Sequence, residues 1–263
     1  MERSENLQAA VARAASDAGL GHWLRTYLPV RLDWRRYRTV VIVTIVSCWA
    51  LVVSAVAQAY IVAIIALVFV VVFGGRLLLE VGWIRFVANR NRDARLDRYE
   101  RGFVYVYQGR VSVFRYDTTR VWRKIVQRIE YGTPTHITYT YTCTDLMGDP
   151  IVLGDVLERP DEWGEAIQHA VAAAQLPPAR AALATGQRLE FDEIWMTEGA
   201  VGSGAETVGW GQLEEIAVQD GFVRLRVAGK WRALIDRPVS DIPNFLVFHT
   251  LAEELRRAHS STA

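Results

Sequence analysis

Residues 39–75 read TVVIVTIVSCWALVVSAVAQAYIVAIIALVFVVVFGG, and the placement of this run decides the architecture. It fills the interval between Arg38 and Arg76, 37 residues without a charge. At about 1.5 Å per residue a single helix of this length would be about 55 Å long, against a hydrocarbon core of about 30 Å. Two passes of about 18 residues each fit that thickness. The polar cluster Ser54, Gln58 and Tyr60 then falls at the far interface, where the hairpin turns. No Gly or Pro marks that turn, so a single tilted helix and a re-entrant loop remain as alternatives.

Arginines flank the run on both sides. Arg25, Arg31, Arg35, Arg36 and Arg38 precede it, and Arg76, Arg85, Arg90 and Arg92 follow it. Positive residues beside membrane segments stay cytoplasmic, and only a hairpin keeps both clusters on one side. Trp34, Tyr37 and Trp83 stand where interfacial aromatic anchors belong. The run begins too late, is too long and lacks a cleavage pattern, which argues against a signal peptide. The expectation is a multi-pass plasma-membrane protein with its N- and C-terminal regions cytoplasmic. The two cysteines, Cys48 and Cys143, suit a reducing compartment and make no disulfide framework.

Upstream, residues 4–18 read as a short helix capped by Ser4 and stopped by Gly19, with Leu7, Ala10, Val11, Ala14 and Ala18 on its apolar stripe. Trp23 to Pro29 reads either as a segment lying on the bilayer surface or as a loosely packed leader. Downstream the period changes. Phe103–Tyr107 and Val111–Tyr116 form a hairpin across Gln108-Gly109-Arg110. Strands follow through Val121–Ile129, Thr135–Thr144 and Pro150–Leu157. Residues 161–175 switch to helical spacing with Trp163, Ile167, Ala170, Val171 and Ala174 on one face, and Pro177-Pro178 close the unit. A second unit repeats the plan. Its strands are Leu189–Met196, Val208–Val218, Phe222–Val227 and Trp231–Ile235. A last helix capped by Asp241 carries Phe245, Phe248, Leu251 and Leu255. Meandering strands closed by one helix imply α+β domains, and the repetition suggests duplication.

The order of turn glycine, strand, tryptophan before a Leu-x-x-Ile run, hairpin and closing helix resembles a pleckstrin-homology-like (PH-like) domain. In the second unit the matching residues are Gly199, Trp210 to Ile216, Asp220-Gly221 and Ile242-Pro243-Asn244-Phe245. The first unit departs from the pattern, because Trp122 does not precede a Leu-x-x-Ile run. Residues 20–258 also resemble an uncharacterised family of bacterial membrane proteins, through Tyr99-Glu100-Arg101-Gly102, Tyr139-Thr140-Tyr141-Thr142 and the Ile-Pro-Asn helix start. The resemblance implies a transmembrane helical hairpin followed by two PH-like domains. The expected organisation is a segment at 1–38, the hairpin at 39–79, a first domain with its basic approach at 80–178, and a second at 186–259.

No reaction is legible. His22, His136, His169, His249 and His259 form no i,i+4 pair, so no zinc helix motif exists. Gly199 to Gly204 is followed by no lysine of a phosphate loop and lacks the glycine spacing of a nucleophile elbow. Asp145, Asp149 and Asp155 fit turn chemistry, and Cys143 reads as a buried thiol. No metal or cofactor is expected.

The charge distribution is informative even though the net charge is +1. Residues 76–131 carry net +7 and residues 132–263 net −9. An anionic leaflet attracts arginines at about 1 kcal/mol each. Arg85, Arg90, Arg92, Arg95, Arg98, Arg120, Arg123, Lys124 and Arg128 are therefore the candidates for headgroup binding. The alternative is that residues 89–101 form a solvated helix with pairs such as Asp97 with Arg101. Nucleic acid is not expected, because the aromatics read as strand core and the second unit is acidic. The reading is a non-enzymatic, membrane-anchored protein that binds a protein partner, anionic lipid or its own copies, with Trp210 and Trp231 as partner contacts. The alternatives are a ligand sensor, or an enzyme with a site between the domains built from His136, Asp155 and His249.

Overall fold

A computed structural model describes residues 2–30, 38–56, 60–76, 78–79, 82, 86, 90–130, 133–145 and 149–260. The chain divides into two units. Residues 1–28 and 94–263 form one, and residues 29–93 form the other.

In the first unit, four strands make an antiparallel meander: β1 (Trp23–Tyr27), β2 (Arg95–Tyr99), β3 (Gly102–Tyr107) and β4 (Arg110–Arg115). A three-stranded meander follows: β5 (Arg120–Glu130), β6 (Thr133–Thr144) and β7 (Pro150–Leu153). A helix, here α4 (Pro160–Ala184), completes the set. The order then repeats. Four strands are β8 (Leu189–Phe191), β9 (Ile194–Met196), β10 (Ala200–Ser203) and β11 (Glu206–Gly209). Three more are β12 (Leu213–Gln219), β13 (Phe222–Val227) and β14 (Ile235–Pro238), and α5 (Phe245–Ser260) closes the copy. The chain is thus α+β, with antiparallel sheets and a C-terminal helix.

Each copy has its own core. Phe103, Tyr141, Leu153, Trp163, Ile167 and Val171 fill the first, and Met196, Val201, Trp210, Leu225, Phe248 and Leu251 fill the second. The run Gly102–Val106 is buried at every position, where an exposed sheet would alternate. The reason is a second cover. Phe103 and Tyr105 face the core, while Val104 and Val106 face α1 (Glu2–Asp17), which contributes Val11 and Ala15. A strand sandwiched between two layers reads as a continuous apolar run. The β3–β4 turn needs positive φ at both central residues, and Gln108 (51°) and Gly109 (79°) supply it.

Four expectations are corrected here. Trp23–Tyr27 is neither a leader nor a surface-lying segment but the edge strand of the first sheet, with Tyr27 opposite Leu96. Residues 95–99 are strand β2 rather than part of a solvated helix, and Asp97 pairs with Arg95, not Arg101. Helix α4 does not stop at Pro177-Pro178 but runs on to Ala184. Prolines there remove the N–H groups that the carbonyls of Ala173 and Ala174 would accept. Packing on both sides holds the helix together regardless: Ile167 and Val171 sit in the first core, Leu176, Ala179 and Leu183 against the second. Finally, α5 starts from Asn244 rather than from Asp241; the Asn244 carbonyl accepts from the amides of Val247 (2.8 Å) and Phe248 (3.2 Å).

The second unit contains α2 (Arg38–Val56) and α3 (Tyr60–Phe69), the latter passing into a π-helical turn, Val70–Gly74. The two helices pack together, and Gly74 returns beside Thr44: a Cβ there would lie 3.6 Å from Thr44 Cγ2. Large side chains point outward, including Trp49 at 73% exposure and Ile61 at 77%. Among the described residues no helix is long and apolar enough to cross a membrane. The transmembrane hairpin read from the sequence is therefore not shown. Trp34, Tyr37 and Trp83, the expected interfacial anchors, lie outside the described residues.

Candidate functional site

The segment 29–93, which holds the apolar interval, leaves after β1 and returns before β2, and polar contacts hold the β1 end of this crossover. Glu162, in the first turn of α4, accepts from Tyr27 Oη (3.0 Å) and Arg159 Nη1 (3.0 Å), and it pairs with Arg25. Desolvation is the largest single influence and works against the carboxylate, but the Arg159 and Tyr27 donors together with the Arg25 and Arg159 charges outweigh it and hold Glu162 below the usual range. The Leu28 carbonyl accepts from the Glu158 amide at 2.9 Å. Beneath β1 lies Asp97, fully buried. Arg95 donates to its Oδ1 at 2.8 Å, and Thr26 Oγ1 donates to the same oxygen. A buried carboxylate persists only when so satisfied.

The nine basic candidates do not form one surface. Arg85 lies outside the described residues. Arg90 and Arg92 are exposed, with Arg92 3.9 Å from Asp93. Arg95 neutralises Asp97. Arg98 is half-buried; burial opposes its charge, but the neighbouring Tyr116 and Tyr27 hydroxyls outweigh this and raise its pKa. Both therefore serve the first copy's interior. On β5, Arg120, Lys124 and Arg128 share one exposed face by strand alternation, whereas Arg123 falls on the other and is half-buried. Trp210 is fully buried and donates from Nε1 to the Thr197 carbonyl at 3.0 Å, so it is core and not a partner contact. Trp231 is 98% exposed on the β13–β14 loop.

Two members of the proposed enzyme constellation have other contacts, and the third is outside the description. Asp155 accepts from the Tyr139 amide at 3.3 Å, His249 packs on the Phe245 ring at 5.5 Å, and the His136 side chain lies outside the description. Cys143 is fully buried, and burial pushes its thiol up to about 12. Among the described residues no three His, Cys, Asp or Glu side chains could hold a metal ion.

Asn244, visible in the sequence only as part of an Ile-Pro-Asn string, ties the two copies together. Its Oδ1 accepts from the Val121 amide (2.8 Å), and its Nδ2 donates to Gln175 Oε1 (2.7 Å) and the Thr119 carbonyl (3.1 Å). Its own amide donates to the Val121 carbonyl at 2.8 Å. Gln175 Nε2 donates in turn to the carbonyls of Tyr116 (2.8 Å) and Thr119 (2.9 Å). Two grooves of about 360 Å³ flank this contact. One is lined by Arg120, Gln175 and Asn244, the other by Trp122, Glu193 and Arg237. Arg180 and Glu254 join α4 to α5 through a bidentate pair at 2.6 and 2.9 Å.

That pair is 48% and 43% exposed, so solvent screens it. Arg180→Ala should cost less than about 1 kcal/mol in thermal denaturation. The Arg180 hydrogen bond holds Glu254 below its usual range. Its contribution is therefore complete above the unfolded carboxyl pKa and is lost as the pH falls through the lower folded one. The difference between wild type and variant should vanish in acid.

A groove of about 790 Å³ lies between α1 and the β1–β2 pair. Sequence reasoning missed it, because Trp23–Tyr27 carries no clear alternation and its partner strand is on the far side of the apolar interval.

The chain belongs to a family of unknown function (DUF6585), whose model matches residues 1–261. No curated protein and no solved structure matches it.

Proposed function

We propose that this DUF6585 protein is a non-enzymatic, membrane-anchored binding protein. It carries two PH-like domains on the cytoplasmic side of the plasma membrane, where they engage anionic headgroups or a protein partner. The observation that carries the reading is the register of Tyr27 with Leu96. Directly opposed residues of antiparallel strands lie about 5 Å apart. An excursion clamped side by side at both ends leaves and returns on one side of any bilayer it enters. It crosses an even number of times, which agrees with arginines flanking both ends. The outward side chains of α2 and α3 are those of a surface that water does not cover in a stable monomer. The PH-like assignment is supported by the meander of strands ending in a closing helix, present twice. Exposed Arg90, Arg120, Lys124 and Arg128 supply the cationic contacts, and Trp231 is the exposed aromatic for a partner.

The test is cysteine accessibility in intact cells, in a Cys48→Ser background. Asp17→Cys and Arg257→Cys should resist a membrane-impermeant maleimide until permeabilisation, while Gln58→Cys is labelled from outside. Labelling of either Asp17→Cys or Arg257→Cys in intact cells overturns the arrangement.

A further inference from the structure

We infer that the groove between α1 and β1–β2 is a binding site for one acyl chain of an anionic phospholipid. The inference rests on the membrane-anchored reading above. At about 790 Å³ the groove has the size of a ligand site. It exists because α1 packs on β3 and β4 and leaves the β1–β2 half of the sheet open. The flank that α1 turns toward the opening is small: Ala12, Ala15 and Ser16. Val11, Leu20 and Tyr99 give an apolar floor that asks for hydrocarbon.

The rim supplies the other half of an amphiphile's chemistry. Arg95 also lines the groove, but Asp97 already balances its charge. Arg101 is exposed, lines the same groove, and has no carboxylate within ion-pair distance among the described residues. Gly21, at φ 84°, makes room for Glu100 beside it, since a Cβ there would sit 2.6 Å from Glu100 Oε2. The Glu100 oxygen is turned instead to the His22 amide at 3.2 Å. Arg101 thus sets an exposed guanidinium, outside any ion pair among the described residues, beside an apolar trough, which suits a phosphate-bearing headgroup of net negative charge.

Position argues for a lipid of the bilayer. Leu28, 41% exposed, lines the groove and is the last residue of this unit ahead of the arginine-rich stretch that leads to the apolar run at Thr39. Trp23, 58% exposed, stands at the mouth with its Nε1 donating to Thr26 Oγ1 at 3.1 Å. An indole with one apolar side and one polar anchor is suited to a membrane–water boundary. A peptide strand is the less fitting occupant. The groove runs along the sheet's face, where no backbone donors point, and the register of β1 shifts between Trp23 and Arg25.

The full chain reconstituted into vesicles of phosphatidylglycerol or phosphatidylcholine, each with brominated acyl chains, tests this through tryptophan quenching. Trp23→Phe identifies the Trp23 signal by difference. Phosphatidylglycerol should quench that signal at least twofold more than phosphatidylcholine, Arg101→Gln should level the two, and Ala12→Phe should abolish the quenching by filling the trough. Equal quenching by both lipids in the wild type, or undiminished quenching in Ala12→Phe, overturns the site. Alkaline carbonate extraction separates this from the anchoring itself. Protein that stays in the pellet without Trp23 quenching sinks only the groove, whereas protein released by carbonate sinks the membrane reading beneath it.

Discussion

A chain lacking residues 1–28 will fail to fold its first copy, whereas a chain lacking residues 29–93, with Leu28 joined to Ala94 by a short glycine-rich turn, will fold and stay soluble. The contrast follows from where β1 comes from. Deleting the N-terminal segment strips Tyr27, Val11, Ala15 and Leu20 from the structure and uncovers Leu96, Tyr99, Val104 and Val106. Each large apolar side chain returned to water costs about 1.5–3 kcal/mol. Several together exceed the roughly 5–15 kcal/mol by which a domain is stable. The deletion also removes Thr26 from buried Asp97 and leaves β2 as a bare edge. Removing residues 29–93 breaks none of these contacts. Tyr27 and Leu96 are already paired, so the join need only make a tight hairpin. Circular dichroism and size-exclusion chromatography distinguish the outcomes. A folded, monomeric product from the first deletion, or an aggregated one from the second, would refute this account of β1. A fragment starting near residue 85 is for the same reason the wrong vehicle for lipid-binding assays.

How much of this was legible in the amino-acid order depends on the range over which each signal acts. The β3–β4 hairpin was readable because its strands and its Gln108-Gly109 turn are contiguous, and the positive φ that the turn demands is a local property. The closing helices were readable from spacing, since Trp163, Ile167 and Val171 fall on one face. β1 was not readable. Its stretch, Trp-Leu-Arg-Thr-Tyr, buries only Tyr27 fully, and its pairing partner lies beyond the whole apolar interval. The same remoteness disguised Asp97. In the local string it looks like one member of an i,i+4 ladder, but the partners that neutralise it are Arg95 on its own strand and Thr26 from the far side of the interval. Pro177-Pro178 misled for a different reason. Two missing donors ordinarily end a helix, and only the presence of a core on either side, a tertiary fact, carries α4 past them. Tryptophan was ambiguous in the string alone. Trp210 and Trp231 look equally suited to a surface, and their burial, complete for one and nearly absent for the other, is decided by the 3₁₀ turn and the loop that carry them.

The second large effect is expected at Asn244, where one side chain spans two copies. Asn244→Ala leaves the Val121 amide, in a residue 4% exposed, without its acceptor, and removes the donor from Gln175 Oε1. A buried polar group stranded in this way costs about 1–3 kcal/mol. The backbone adds to the loss, because Asn244 sits at φ 49°, a left-handed conformation that asparagine tolerates better than alanine. Together these predict a destabilisation of about 3–5 kcal/mol, read by thermal or denaturant unfolding of the full chain in detergent. Asn244→Gly separates the two causes. It keeps the backbone at ease and loses only the side-chain bonds, so it should fall between wild type and Asn244→Ala. The Thr119 carbonyl keeps Gln175 Nε2 as a donor in both variants, which limits the damage on that side. Because the Asn244 amide still reaches the Val121 carbonyl, the two copies should loosen rather than part. In hydrogen exchange the amides of Val121 and of the first turn of α5 should lose protection first, ahead of those of β3 and β9. If both variants unfold within about 0.5 kcal/mol of wild type, the packing of α4 against α5, not this side chain, is what joins the copies.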